Sequence, residues 1–182
     1  LKSNTSGYYN TGVGDEALKH NSTGTSNTAF GYHTLSVNNG FGNVGIGAFA
    51  LNQNATGNGN IAMGDQALGT NTIGSWNMGI GTLALQYNTE GNNNIALGFQ
   101  CLNKNTIGNA NVAIGYSTLF NNVNGFQNIA LGQGALFSNF NGVGNIAIGY
   151  QALETPANNN YSVAIGTQSL QKSTTGSFNT MV

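Results

Sequence analysis

Two histidines, one cysteine and five carboxylates are the residues of this 182-residue chain whose types could support catalysis or metal binding. His20 and His33 fall at different positions of an internal repeat, and no His-Glu-x-x-His pair occurs, so spacing assembles no zinc ligand set. Asp15-Glu16 sets two carboxylates side by side without a partner elsewhere, which suits a solvated corner better than an acid/base pair. Only Asp65 repeats Asp15 at the matching place, too sparse for the recurring Asp of calcium-binding β-rolls. Cys101 has no second cysteine to pair with. It stands in a column of small residues between Ala84 and Thr118 and reads as a buried small hydrophobe rather than a nucleophile. Gly12-Val13-Gly14 and Gly45-Ile46-Gly47 lack the Lys-Ser/Thr that completes a phosphate loop. The expectation is a non-enzyme without catalytic residues, bound metal or cofactor.

Charge narrows the partners. Lys2, Lys19, Lys104 and Lys172 face Asp15, Glu16, Asp65, Glu90 and Glu154, and arginine is absent. Four scattered lysines make no basic stripe for phosphates, so nucleic acid is excluded, as is polybasic docking on a membrane. No run of 18 apolar residues predicts a membrane-spanning helix. Low charge with abundant Gly and Asn suits disorder by composition, but apolar columns kept in register do not.

Those columns belong to a seventeen-residue unit, Asn-x-Ala-x-Gly-x-x-Ala-Leu-x-x-Asn-x-x-Gly-x-x, broken by a single sixteen-residue step between Asn27 and Asn43. Gly14, Gly31 and Gly47 begin one fixed column, and Leu18, Leu35 and Leu51 begin another four residues later. A short, strict period predicts a solenoid in which each unit is one coil. Triplets such as Ile61-Ala62-Met63 and Val112-Ala113-Ile114 predict short strands whose outer residues share one face. The branched pair is expected inside, with Leu as the third interior side chain. The small middle residues Ala62, Ala96, Ala113, Ala130, Ala147 and Ala164 are then expected to face another chain. The fixed Gly and the Asn column (Asn21, Asn38, Asn54 and onward) mark the corners, and stacked Asn side chains predict amide ladders. Two glycines per seventeen residues exclude a helical repeat. The fold class is all-β: a parallel β-solenoid of about ten 17-residue coils, roughly 50 Å tall at about 4.8 Å per coil. Residues 1–182 form a single repetitive solenoid, expected to be cut mid-repeat at both ends.

Aromatic residues and sequons supply the remaining candidates. Tyr32, Phe99, Tyr116 and Tyr150 share the position after the first Gly, Phe120 and Phe137 are neighbours in another column, and Trp76, Tyr161 and Phe178 share a third. Coil-to-coil stacking accounts for them, and a sugar- or receptor-contact strip using Tyr32, Phe99, Tyr116, Tyr150 and Trp76 is the sharper alternative. Asn4, Asn21, Asn54 and Asn160 begin Asn-x-Ser/Thr sequons, which permit N-glycosylation in a secreted setting. Thr72, Thr89 and Thr106 align, but Ala55 and Val123 interrupt the lattice that ice contact would need.

Asn111-Val112-Ala113-Ile114-Gly115 and Ser162-Val163-Ala164-Ile165-Gly166 resemble the core motif of YadA-type heads in trimeric autotransporter adhesins, and similar runs occur in bacteriophage and large-virus fibre repeats. The likeness spans essentially the whole chain. The adhesin unit is nearer fourteen residues; the seventeen-residue unit with its added Ala-Leu step is closer to the fibre repeats. The resemblance implies a left-handed parallel β-roll associating with copies of itself, as a homotrimer. It also implies a structural segment of an extracellular, cell-surface or virion-surface fibre or adhesin that spaces or displays attachment functions. Alternatives are a module binding host glycans or a surface receptor through its aromatics, or a subunit of a self-assembling, glycosylated extracellular filament.

Overall fold

The computed structural model describes residues 3–155, 159–173 and 176–182; Lys2 lies outside them. Each seventeen-residue unit makes one coil with one short strand. In chain order these are β1 (Thr11–Val13), β2 (Thr28–Phe30), β3 (Val44–Ile46), β4 (Ile61–Met63), β5 (Met78–Ile80), β6 (Ile95–Leu97), β7 (Val112–Ile114), β8 (Ile129–Leu131), β9 (Ile146–Ile148), β10 (Val163–Ile165) and β11 (Thr180–Met181). They form one parallel sheet in sequence order. Register follows the repeat: Ile95, Ala96 and Leu97 stand opposite Val112, Ala113 and Ile114. The short coil keeps that register, since Thr28 still pairs with Val44. Its missing residue is absorbed at the Asn38–Gly40 corner, where Asn38 still bonds both Asn21 and Asn54.

The remainder of each coil is built from turns rather than a second strand. Ala84 N–H donates to Gly81 O at 3.2 Å and Asn88 N–H to Leu85 O at 3.0 Å. Gly69 N–H closes a turn of the same series onto Gln66 O at 3.1 Å. The Leu column is left-handed throughout, from φ 51° at Leu18 to φ 47° at Leu170. Such a backbone costs a residue with a Cβ about 1–2 kcal/mol. Two compensations recur from Leu18 to Leu153: the leucine side chain is buried, and its N–H donates to the next coil, as Leu85 does to Cys101 O at 2.9 Å.

The strands are inverted relative to the expected orientation. The middle residues, Ala62, Ala96, Ala113, Ala130, Ala147 and Ala164, are 0 % exposed within this single chain and form the core with the leucines. They are not available to pack against another chain. At Gly79, in the same column, an added Cβ would lie 3.5 Å from Leu68 Cδ1, which places the small column in contact with the leucines across the coil. The branched residues point outward instead; Ile114 is 38 % exposed.

The physical reason is the second content of the interior, asparagine. Two Asn columns are buried, one opening each unit (Asn27, Asn43, Asn60 and onward) and one at the far corner (Asn21, Asn38, Asn54 and onward). Asn88 Nδ2 donates to Asn71 Oδ1 at 2.7 Å and to Gly91 O at 3.0 Å, and the same pattern repeats from coil to coil. In the opening column, Asn94 Nδ2 reaches Asn77 Oδ1 at 3.1 Å and crosses the coil to Gly108 O at 2.8 Å. Two amides and a leucine fill the narrow cross-section, leaving room for a methyl group on the strand side. The expected amide ladder is present at the far corner, and an unanticipated second one lies at the start of each strand. Buried amides with satisfied hydrogen bonds avoid the penalty of unpaired polar groups and lock register.

Candidate functional site

The outward side of the sheet is the most extended surface feature. Strand positions one and three carry Val44/Ile46, Ile61/Met63, Met78/Ile80, Ile95/Leu97, Val112/Ile114, Ile129/Leu131, Ile146/Ile148 and Val163/Ile165, all half-buried or exposed. Strand geometry gives this face a footprint of roughly 45 Å by 10 Å before side-chain relief is counted. That is already comparable with the largest apolar patch of a typical monomer, about 300–600 Å². None of these side chains is charged. The parallel sheet therefore has one face sealed by the coil interior and an equally apolar one uncovered, whereas parallel sheets are normally covered on both.

Aromatic residues flank this face. Tyr32, Phe99, Tyr116 and Tyr150 are exposed on the side after the Gly corner, and Trp76, 59 % exposed, lies on the other. Phe99 and Tyr116 stack at 5.4 Å and 17°, while Tyr32 meets Phe49 edge-on at 5.3 Å. Tyr150 has no ring partner among the described residues. The five candidates consequently do not form one continuous strip. Trp76 covers a glycine: a Cβ built on Gly59 would lie 2.3 Å from its ring, and Tyr161 covers Gly144 in the same way.

A third surface, the turn face, carries the polar side chains. Glu16 takes the Lys19 ammonium at 2.5 Å and His33 Nε2 at 3.1 Å. The Lys19 hydrogen bond holds its carboxyl below the usual range. His33 lies against Tyr32 and Phe49, and no group of three His, Cys, Asp or Glu side chains converges among the described residues. The turn face also bears two concavities, of about 310 Å³ beside Gly69 and about 320 Å³ beside Gly134.

Cys101 is fully buried, with its Sγ turned to Gly115 O, as the Thr118 hydroxyl turns to Gly132 O at 2.7 Å. Burial pushes the Cys101 thiol up. A thiol-specific reagent at pH 8 is expected to label the native chain at least roughly 100-fold more slowly than the urea-unfolded chain. Comparable rates would show that the Cys101 coil opens freely.

The sequons divide. Asn21 and Asn54 are fully buried rungs: Asn54 Nδ2 donates to Asn38 Oδ1 at 2.7 Å and to Gly57 O at 2.8 Å. The amide nitrogen that a glycan would occupy is consumed, so the folded chain has no place for one at either residue. Asn4 is exposed and Asn160 half-buried.

Fold and surface define the class: a parallel β-solenoid repeat protein with an uncovered apolar sheet face. Family models, curated proteins and solved structures give no significant match to the chain.

Proposed function

We propose that the chain is a rod-forming structural segment of an extracellular or virion-surface fibre or adhesin, associating with further copies of itself through its branched sheet face. Three copies side by side is the arrangement that the adhesin-head resemblance favours. One observation carries the reading: two uncharged apolar columns, mostly Ile, Val and Leu, remain half-buried or exposed from β3 to β10. Burying such a face is worth about 25 cal/mol per Å² of apolar area. Adding the flanking aromatic columns brings its footprint toward the ~800 Å² per partner of a standard interface. A rod with so regular a surface suits spacing and display, because each coil repeats the same contacts.

Sedimentation or light scattering of the full chain tests this. The expected result is a stable oligomer at about 0.1 mM chain, with monomers after Ile114→Glu and Ile148→Glu are combined. Both side chains point away from the core, so the variant is expected to keep its β-type circular dichroism. A wild-type chain that remains monomeric at that concentration overturns the proposal, and open-ended polymers would favour the filament alternative.

A further inference from the structure

The turn face carries a column formed by Gln66, Gln100, Ser117 and Gln151 in successive and near-successive coils, and Gly134 interrupts it. The absent side chain opens the cleft of about 320 Å³. Phe120 and Phe137, stacked at 5.3 Å and 6°, line it, and Lys104 Nζ sits 5.1 Å from the Phe120 ring centre. Ser117 also lines the cleft; it is 6 % exposed, and its hydroxyl makes no hydrogen bond among the described residues. The side-chain amides of Gln100 and Gln133, on the same lining, are equally unengaged. Glu154, by contrast, is occupied: Gln151 Nε2 reaches its Oε1 and Gln171 Nε2 its Oε2, both at 2.7 Å.

We propose that this cleft is a binding site for a neutral saccharide. The Lys104 ammonium lies over the Phe120 ring rather than among the lining residues, so the lining itself offers an anion no cation, and the one carboxylate already holds two amide donors. The remaining chemistry is aromatic surface beside a sheltered hydroxyl and two free amides, each amide offering a donor and an acceptor. A pyranose presents the complement, an apolar flank of C–H groups and a rim of hydroxyls. The volume lies at the small end of the ~300–1,000 Å³ of ligand sites, which suits a short sugar chain. At the Gly69 concavity Gln86 Nε2 is already engaged with Gln66 Oε1 at 2.7 Å and Phe49 is the one lining ring, with no stacked pair, so the inference is confined to the Gly134 cleft. This site adjoins the association face at Tyr116, which both lines the cleft and flanks the sheet, and it goes beyond the fibre reading.

Titration of the full chain with chitotriose, cellotriose and maltotriose, followed by ligand-observed NMR, tests it. At least one is expected to bind saturably at millimolar or tighter affinity. Gly134→Gln is expected to weaken that binding by about 10-fold or more by filling the cleft. Ser117→Ala is expected to weaken it by about 2- to 10-fold, the worth of one hydrogen bond. Gly134→Gln is expected to fold normally, because glutamine already occupies this column with φ 55° at Gln66 and Gln100 and 53° at Gln151, and Gly134 has φ 68°. A Cβ there would meet only Gln151 Cγ, at 3.4 Å. Absence of binding by all three sugars up to about 10 mM, or binding undiminished in a folded Gly134→Gln chain, overturns the proposal. The oligomeric state of the same samples reports on the fibre reading separately.

Discussion

Gly81→Ala is expected to destabilise the rod by roughly 2–6 kcal/mol in urea unfolding, combining about 1–3 for backbone strain with about 1–3 for overpacking. The φ at Gly81 is 128°, beyond the left-handed helical region that side-chain-bearing residues tolerate, and an added Cβ would meet Gly98 O at 2.5 Å and Gly98 C at 2.6 Å. Both contacts are backbone of the next coil, so no rotamer change relieves them. Gly12→Ala supplies the contrast. That glycine stands in the alanine column but is exposed at the first strand, its φ is ordinary, and an added Cβ would find nothing closer than 3.5 Å. It is expected to be neutral or to stabilise by about 0.4–1 kcal/mol through the unfolded chain. Similar unfolding midpoints for the two variants would mean that coil-to-coil backbone contact does not determine the glycine column.

Asn94→Leu removes one rung and is expected to cost about 2–6 kcal/mol, at about 1–3 for each of two orphaned donors. Asn94 Oδ1 accepts the Asn111 backbone N–H at 3.0 Å and its Nδ2 at 3.1 Å, both in the interior. Leucine has nearly the same size but accepts neither. The acceptors facing Asn94 fare better: Gly108 O retains Asn105 Nδ2, and Asn77 Oδ1 retains the backbone N–H of residue 94. Asn94→Asp tests the same rung by pH. A buried carboxyl facing Asn77 Oδ1 and Gly108 O would have its pKa raised, because only the protonated form donates and burial disfavours the charge. The folded variant then binds more protons than the unfolded one. Its stability relative to wild type is best below the unfolded aspartate value of about 3.9 and falls as pH rises through the folded value. Unfolding midpoints that do not separate between about pH 3 and 7, or an Asn94→Leu chain as stable as wild type, would remove the ladder from the account of stability.

The natural end of one ladder makes the same point. Among the described residues Asn139 Oδ1 is buried without a donor. The next residue of that column is Pro156, which lies outside the described residues and has no side-chain amide. Where the opening column changes to serine, Ser162 N–H still donates to Asn145 Oδ1 at 3.0 Å, so the backbone half of the rung survives the loss of the amide.

Period, strand triplets, leucine core and far-corner amide ladder were all legible in the residues, because each follows from like residues stacking on like in a coil of constant length. The aromatic candidates were legible as columns, but not as surfaces: Phe99 and Tyr116 stack, while Trp76 turns down over Gly59. The Gly134 cleft was hidden because a gap has no signal of its own. It is visible only as one glycine in a column that otherwise carries side chains. The left-handed leucines were equally hidden, since leucine ordinarily argues against that backbone.

What the sequence by itself determined is the coil: its length, its parallel stacking and the residues that must recur at its corners. Which side of the strand faces inward was decided only in three dimensions. Alternation separates Ala113 from Val112 and Ile114 but assigns neither side to the core, and hydrophobicity alone favours the larger pair. The interior is instead shared by leucine and two hydrogen-bonded asparagines, which leave the strand space for a methyl group. Ile114 and its neighbours are thereby displaced to the surface, and the apolar face available for association is the one that composition would have buried.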